Sequence, residues 1–228
     1  MSWALVPAAG SGRRFGGEVP KQYLQAAGKP LIAHALDALL AHPGVHGAVV
    51  ALAADDPRWP GWTTLHGKPV IACVGGGERA DSVLAALHAL PDDVDDDTLL
   101  LVHDAARPNL HGDDIGKLLA AAAAHADGAI LAAPVRDTLK RADADTRIAA
   151  TEPRDGLWRA LTPQAFPRGL LRRALERACA DGVAATDEAM AVERLGLKPR
   201  LVEGREDNLK VTTPADLALA DFLLARRT

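Results

Sequence analysis

A glycine-rich stretch with two arginines is the clearest sign of chemistry in the sequence. It runs Pro7-Ala8-Ala9-Gly10-Ser11-Gly12-Arg13-Arg14-Phe15 and directly follows a short apolar run. Glycines at the carboxyl end of a strand let backbone N–H groups approach phosphate oxygens closely. Arg14 and the nearby Lys21 add fixed and flexible positive charge. Gly-x-Gly alone is equally typical of an ordinary turn, but this combination predicts a nucleoside triphosphate site.

Two other nucleotide-binding loops do not match this stretch. A Walker A loop requires Gly-x-x-x-x-Gly-Lys-Ser/Thr, which the sequence lacks. A dinucleotide fingerprint requires a third glycine or alanine where Phe15 stands. Asp55 or Asp56 can imitate the ribose-binding acid of that fold, yet both follow the second predicted strand later than expected. Hydride transfer is therefore disfavoured.

A carboxylate at the end of a second apolar run is the candidate metal ligand. Asp104 follows Thr98–His103, which has the composition of a buried strand. Such a position faces the crevice where open α/β sheets bind ligands, and Mg²⁺ is usually held there by one or two carboxylates plus substrate phosphates. We expect Asp104 to bind Mg²⁺, with a turn or helix-capping aspartate as the alternative. For the adjacent His103 we expect structural support rather than proton transfer.

Two further polar loops leave alternatives open. Gly75-Gly76-Gly77-Glu78-Arg79-Ala80-Asp81-Ser82 again follows an apolar run. Its backbone can lie flat against a base while Ser82 hydrogen-bonds a ligand, or it can be a structural turn. Lys210 lies in the polar loop Asp207–Thr212 before the last predicted helix. It is either an anion-binding group or a solvated surface charge.

Composition limits the remaining classes of function. A chain of 228 residues with a formal net charge of -4 is unlike proteins that bind nucleic acid through phosphate attraction. Any anion site must therefore be a local concentration of arginine and lysine. The N-terminus lacks a basic leader, no segment resembles a membrane span, and Cys73 and Cys179 lack metal-ligand spacing. We expect a cytoplasmic protein.

Apolar runs alternate with helical patterns and predict an α/β fold with a mostly parallel sheet. The predicted strands are Ala4–Pro7, Ala48–Ala53, Val70–Val74, Thr98–His103, Ala129–Pro134 and Arg200–Glu203, each expected to be covered on both faces except the last. Predicted helices include one capped by Asp81, then Leu170–Cys179, Asp187–Leu195 and Pro214–Ala225. Val135–Ala142 and Thr146–Glu152 predict a hairpin that packs on something else, for which another subunit is one candidate. We interpret residues 1–228 as one domain with a protruding arm at about 135–154.

Together these stretches resemble the 2-C-methyl-D-erythritol 4-phosphate cytidylyltransferases of the non-mevalonate isoprenoid pathway. The resemblance extends from Leu5 to about Leu224. The motifs that carry it are Pro7–Arg14, Pro20–Tyr23, Glu78–Ser82, Val102–Pro108, Ala133–Thr138, Leu161–Gln164, Thr186–Ala189 and Asn208–Thr212. Val102–Pro108 combined with Thr186–Ala189 is far more specific than any single glycine loop.

The resemblance implies a Rossmann-like nucleotidyltransferase core and a homodimer that exchanges its arms. It implies transfer of CMP from CTP to methylerythritol phosphate with Mg²⁺ on Asp104, and Arg14, Lys21 and Lys210 as catalytic residues. The residues implied around CTP are Ala8, Ala9, Gly10, Gly12, Arg14, Lys21, Gly76, Ser82 and Asp104. Those implied around methylerythritol phosphate are Arg107, Thr162, Thr186 and Lys210, with Thr138 and Arg154 from the partner's arm. Gly77 departs from relatives that carry aspartate there.

Two other functions remain open from the residues themselves. A cytidylyltransferase for another polyol phosphate, such as ribitol 5-phosphate, has a similar nucleotide half. A nucleotide-binding protein without catalysis is the alternative from a different class, although it has less need of Arg14, Lys21, Asp104 and Lys210 together.

Overall fold

The computed structural model describes residues 1–10 and 19–227. Its strands are β1 (Ser2–Ala8), β2 (Gln25–Ala26), β3 (Lys29–Pro30), β4 (Ala48–Leu52), β5 (Thr64–Leu65), β6 (Lys68–Val74), β7 (Leu99–Val102), β8 (Ala129–Pro134), β9 (Leu139–Ala142), β10 (Ile148–Glu152), β11 (Trp158–Pro167) and β12 (Arg200–Glu203). Eight of these form one sheet in the order β12-β8-β11-β7-β1-β4-β6-β5. The strands β7, β1, β4 and β6 are parallel, whereas β11 is antiparallel to both of its neighbours. The predicted α/β fold with a mostly parallel sheet is confirmed.

Helices cover both faces of this sheet. They are α1 (Leu31–Ala41), α2 (Arg79–His88), α3 (Gly112–Ala124), α4 (Arg168–Ala180), α5 (Glu188–Glu193) and α6 (Pro214–Leu224). Successive residues of β1 pack into hydrophobic clusters on opposite faces of the sheet, since side chains alternate along a strand. Val6 packs in the cluster with α1 and α3, and Leu5 packs in the cluster with α2 and α4. None of the helices described is both long and apolar enough to cross a bilayer.

The continuous apolar runs identify β1 and β4 correctly. All five residues of β4 are buried, as are all but one of those of β1. The expectation of two covered faces is wrong for β6, where Val74 is 62% exposed. The next strand, β5, has only two residues and pairs with the start of β6, so the end of β6 lies at the margin of the sheet.

The start of α2 differs from the prediction that Asp81 is its N-cap. Glu78 occupies that position, and Asp81 is the third helical residue of a capping box. The Asp81 carboxylate accepts a hydrogen bond from the Glu78 N–H at 3.1 Å. The helix therefore begins three residues earlier than predicted, because glutamate with a reciprocal aspartate satisfies the first N–H groups as well as aspartate alone.

Strand β11 has no counterpart among the sequence predictions. It lies between β7 and β8, at the centre of the sheet, but carries Arg159, Gln164 and two prolines, Pro163 and Pro167. Proline cannot donate to a strand ladder and normally argues against a central strand. The register of β11 with β8 shifts between Ala160 and Gln164, and Pro163 lies within that irregularity.

The predicted hairpin is confirmed as β9 and β10, which pair antiparallel across the turn at Asp143. Nearly every residue from 136 to 160 is exposed. Ile148 is 70% exposed, and Leu157 and Trp158 at the base of the arm are 42% and 37% exposed. The described part of the chain leaves these apolar side chains of the arm uncovered. That the arm packs on another subunit stays a prediction.

Gly128 offers a test of the packing between β8 and β11. It has φ +79°, and an added Cβ would lie 2.3 Å from Phe166 Cδ1 and 2.6 Å from the Ala165 carbonyl oxygen. We expect Gly128→Ala to lower the free energy of unfolding by about 2–4 kcal/mol, combining left-handed strain with overpacking. The matched control is Gly182→Ala, at φ +65° with no atom within 4 Å, where we expect only about 1 kcal/mol. Equal losses in urea denaturation would contradict this account of the contact.

Candidate active site

A cleft of about 820 Å³ lies at the carboxyl ends of the parallel strands. This volume is typical of a site for a small-molecule ligand. Strand β4 pairs with one edge of β1 and strand β7 with the other, so the order in which strands are added to the sheet reverses at β1. Open α/β sheets bind ligands in the crevice at such a point. The predicted site residues that line the cleft are Ala8, Ala9, Gly10, Lys21, Gly76, Ser82, Asp104 and Lys210.

The end of β1 and the short 3₁₀ turn Lys21–Tyr23 form one wall of the cleft. The buried Gln22 side chain joins them, because its Nε2 donates to the Ala8 carbonyl oxygen at 2.7 Å. That bond fixes Lys21 beside the end of the strand. The predicted Gly12 and Arg14 lie outside the described residues, so their roles stay predictions.

The loop after β6 forms the opposite wall. The Ser82 hydroxyl accepts from the Gly76 N–H at 3.2 Å and donates to the Glu78 carbonyl oxygen at 3.2 Å. A Cβ on Gly76 would lie 2.2 Å from Asp81 Cβ, whereas Gly77 has open space around it. The loop thus requires glycine at 76, whereas a Cβ at 77 would meet no described atom within 4 Å. Whether Ser82 also contacts a ligand stays a prediction.

Asp104 is the electrostatic centre of the cleft. Its Oδ1 lies 3.2 Å from Arg79 Nε, and its Oδ2 lies 2.9 Å from Lys210 Nζ and 3.4 Å from Arg107 Nε. Burial alone would raise the pKa of Asp104, but the charges of the three cations outweigh burial and hold that pKa well below its ordinary value. The carboxylate is therefore ionised at neutral pH even though its side chain is only 11% exposed.

A buried histidine supports the backbone of Asp104. His103 Nε2 lies 3.0 Å from the Arg107 carbonyl oxygen, so it carries the proton and donates. Nδ1 then accepts from the Thr162 hydroxyl at 3.0 Å, and the hydroxyl oxygen accepts from the Asp104 N–H at 3.1 Å. Burial lowers the pKa of His103 to about 4. The ring is neutral at pH 7 with both nitrogens engaged, which agrees with the structural role expected for it.

The loop that carries Lys210 is tied to the same centre. Arg107 Nη1 donates to the Asn208 carbonyl oxygen at 2.8 Å, and Asn208 Nδ2 donates to the Thr162 carbonyl oxygen at 2.7 Å. The Val211 N–H donates to the Ala106 carbonyl oxygen at 2.8 Å. These bonds hold the backbone on both sides of Lys210 while its ammonium group, 38% exposed, faces the cleft.

The remaining predicted substrate contacts are not among the residues that line the cleft. Arg107 and Thr162 are buried next to Asp104, and Thr186 is exposed with its hydroxyl 3.5 Å from Met190 Sδ. Thr138 and Arg154 are exposed on the arm, where the Arg154 guanidinium donates to the Arg136 carbonyl oxygen. Their roles toward a substrate stay predictions.

Three residues at this site received no role from the sequence. They are Gln22, Arg79 and Glu188. Arg79 follows the second glycine loop much as Arg14 follows the first, and this parallel is a signal that the sequence offers. Glu188 pairs with Arg79 from 109 residues away, and that contact leaves no local pattern.

The residues present fit Mg²⁺ only if substrate phosphates complete its coordination. Among residues 1–10 and 19–227, no three histidine, cysteine or acidic side chains are arranged to hold a metal ion. One carboxylate plus phosphate oxygens and water satisfies Mg²⁺, which prefers such mixed sites. Asp104 supplies that carboxylate, but both of its oxygens already contact cations.

Comparison with known proteins agrees with this geometry. The family profile described as 2-C-methyl-D-erythritol 4-phosphate cytidylyltransferase matches residues 2–226. Proteins of that name from Xanthomonas campestris pv. campestris and Stenotrophomonas maltophilia are 65% and 62% identical over 99% of this chain, covering 85% and 97% of their own lengths. The crystal structure of the Francisella tularensis protein of that name is 31% identical with a TM-score of 0.83, covering 97% of this chain and 98% of that one. A crystal structure of a 4-diphosphocytidyl-2C-methyl-D-erythritol synthase is 37% identical with a TM-score of 0.84, covering 98% of each chain. On the strength of this match over nearly its whole length, the chain belongs to the 2-C-methyl-D-erythritol 4-phosphate cytidylyltransferase family.

Proposed function

We propose that the protein transfers CMP from CTP to 2-C-methyl-D-erythritol 4-phosphate, giving 4-diphosphocytidyl-2-C-methyl-D-erythritol and pyrophosphate in isoprenoid precursor biosynthesis. The observation that carries this proposal is the convergence of four distant motifs on one cleft. Gly10, Lys21, Asp104 and Lys210 line it together, in a chain that is 65% identical to a relative of that name.

The reaction needs charge neutralisation more than it needs a general base. A phosphate oxygen of the polyol phosphate is already ionised at neutral pH. It attacks the α-phosphorus of CTP, a new P–O bond forms, and the bond to the β-phosphate oxygen breaks as pyrophosphate leaves with the electron pair. Two anions must meet and negative charge spreads in the transition state, so fixed cations and backbone N–H groups supply most of the catalysis.

The residues of the cleft divide this work between them. We assign Gly10 and Gly12 N–H groups with Arg14 and Lys21 to the triphosphate, and Lys210 to the attacking phosphate. Asp104 would hold Mg²⁺, which would supply positive charge to offset that of the phosphates. The turns at Ala8, Ala9, Gly76 and Ser82 would hold the nucleoside. We assign Arg107, Thr162 and Thr186 to the binding of the polyol phosphate.

We further propose a homodimer in which each arm completes the neighbour's site. The exposed Ile148, Leu157 and Trp158 give the arm apolar surface to bury. Thr138 and Arg154 do not line the cleft of their own chain, and a partner's arm would bring them to the polyol phosphate. We also propose a cytoplasmic location, where the thiols of Cys73 and Cys179 stay free as they are here.

Pyrophosphate release tests the proposed reaction directly. With Mg²⁺ present, CTP, UTP and ATP are each offered with methylerythritol phosphate and with ribitol 5-phosphate. We expect rapid release only from CTP with methylerythritol phosphate. Release only with ribitol 5-phosphate would overturn the proposed substrate, and silence from folded protein that binds CTP would favour a protein without catalysis.

Lys21→Ala tests the cation that the bond from Gln22 to Ala8 holds beside the end of β1. Loss of a charge directed at the transition state typically lowers kcat by roughly 10²–10³-fold, and we expect that loss with an unchanged melting temperature. The control is Lys29→Ala, which removes a lysine paired with Asp37 at the surface and should leave turnover unchanged. Near-normal turnover of Lys21→Ala would exclude the catalytic role.

Mixing two inactive variants tests the exchanged arm. If Arg154 acts in the neighbouring subunit, Arg154→Ala mixed with Lys21→Ala forms dimers that contain one intact site. Random exchange should then restore about a quarter of wild-type activity. The control mixes Lys21→Ala with the Lys21→Ala/Arg154→Ala double variant, which cannot form an intact site. No recovery after subunit exchange, measured with differently tagged chains, would contradict the shared site.

A further inference from the structure

A buried ion pair beside the cleft has no role in the reaction described so far. Glu188 is the first residue of α5 and is 1% exposed. Its Oε1 accepts a hydrogen bond from Arg79 Nη1. Its Oε2 is buried and has no hydrogen-bond partner among the described residues. A buried carboxylate oxygen without a partner is costly, so its retention at this position calls for an explanation.

Arg79 connects this carboxylate with Asp104. Its Nε lies 3.2 Å from Asp104 Oδ1, while Nη1 contacts Glu188. Its guanidinium lines the cleft. One arginine is thus shared between two carboxylates, and a guanidinium has enough N–H groups to pair with either of them through two bonds.

The two oxygens of Asp104 differ in how they are occupied. Oδ2 forms ion pairs with both Lys210 and Arg107, whereas Oδ1 forms one with Arg79 alone among the described residues. A metal ion that approaches Oδ2 must displace two cations. One that approaches Oδ1 must displace a single guanidinium contact, so Oδ1 is the less obstructed ligand.

We propose that Glu188 is a positioning residue that withdraws Arg79 from Asp104 when the metal–nucleotide complex binds, which frees Oδ1 for the metal. The unpartnered Oε2 supplies the second acceptor, so Arg79 exchanges its bond to Asp104 for a bidentate pair with Glu188. The guanidinium remains paired, and the orphaned oxygen gains a partner. This inference rests on the proposed function, because it assumes that Asp104 binds the metal that accompanies CTP.

The exchange predicts a specific loss in Glu188→Gln. Glutamine has nearly the same shape but no charge, and its amide N–H₂ cannot accept from a guanidinium. Arg79 would then keep Asp104 as its only carboxylate and compete with the metal. CTP binding without metal should change little, whereas the strengthening of CTP binding by Mg²⁺ should fall about tenfold, as when other groups behind a metal ligand are removed. A purely structural role would weaken CTP binding equally in both conditions.

A double variant separates competition from damage to the fold. Arg79→Gln/Glu188→Gln replaces the ion pair with two neutral amides, so that neither partner is left as a buried charge without its counterpart. With no guanidinium left to compete, the Mg²⁺ enhancement should return to the wild-type value or exceed it. The control is Glu193→Gln, an exposed position on the same helix, which should behave as wild type.

Calorimetric titration of CTP into each protein, in EDTA and in Mg²⁺, gives the enhancement directly as a ratio of two dissociation constants. A tenfold smaller ratio for Glu188→Gln, restored in the double variant, is the expected result. An unchanged ratio for Glu188→Gln overturns the inference. If Glu188→Gln fails to fold, a reduced ratio in the double variant overturns the inference instead. No enhancement in the wild type would refute the metal site itself. Absence of pyrophosphate release from a wild type with normal enhancement would refute only the proposed reaction.

Discussion

Burial of one charged carboxylate is the constraint on which the rest of this site depends. Asp104 follows the fully apolar strand β7, and its side chain is largely removed from water into surroundings of low dielectric constant. An ion in that position must be compensated by partners close at hand. The partners come from three different segments: Arg79 at the start of α2, Arg107 after β7 and Lys210 before α6. One charge therefore fixes the relative position of three loops.

That arrangement also prepares the cleft for phosphates. Three cations face two carboxylates, Asp104 and Glu188, so positive charge is in excess although the whole chain is acidic. Arg107 and Lys210 are held in place before any ligand arrives, and preorganised charge of this kind needs no rearrangement during reaction. His103 and Thr162 extend the same principle inward, since they fix the backbone from which the Asp104 side chain projects.

The sequence is most informative where one residue type decides the structure. Continuous apolar runs identify β1, β4 and β7, because only strands covered on both faces have that composition. The chemistry at their ends follows from position, which is why Gly10 and Asp104 could be placed in one cleft beforehand. Strand β11 could not be predicted from the sequence, because tertiary packing and not strand propensity places its prolines and Gln164 inside the sheet.

Contacts between distant segments are the part that no local pattern encodes. Arg79 lies in the motif Glu78–Ser82, but the sequence does not reveal its ion pair with Glu188. That contact forms only when α4 and α5 pack on α2. Asn208 likewise looks like a loop residue, but it is fully buried and ties the Lys210 loop to β11. The arm is the converse case. Its hairpin follows from turn residues, whereas no pattern in the sequence says what covers its exposed apolar side chains.

We propose that the ion cluster at Asp104 binds the phosphates of the nucleotide and the metal that accompanies them. A crystal structure with CTP and Mg²⁺ tests it most directly. We expect the triphosphate to contact Gly10 and Lys21 and the base to contact the loop at Gly76. One Asp104 oxygen should lie about 2.1 Å from the metal. A nucleotide bound outside this cleft, or a bound nucleotide with all three cations still on Asp104 and no metal there, would contradict it.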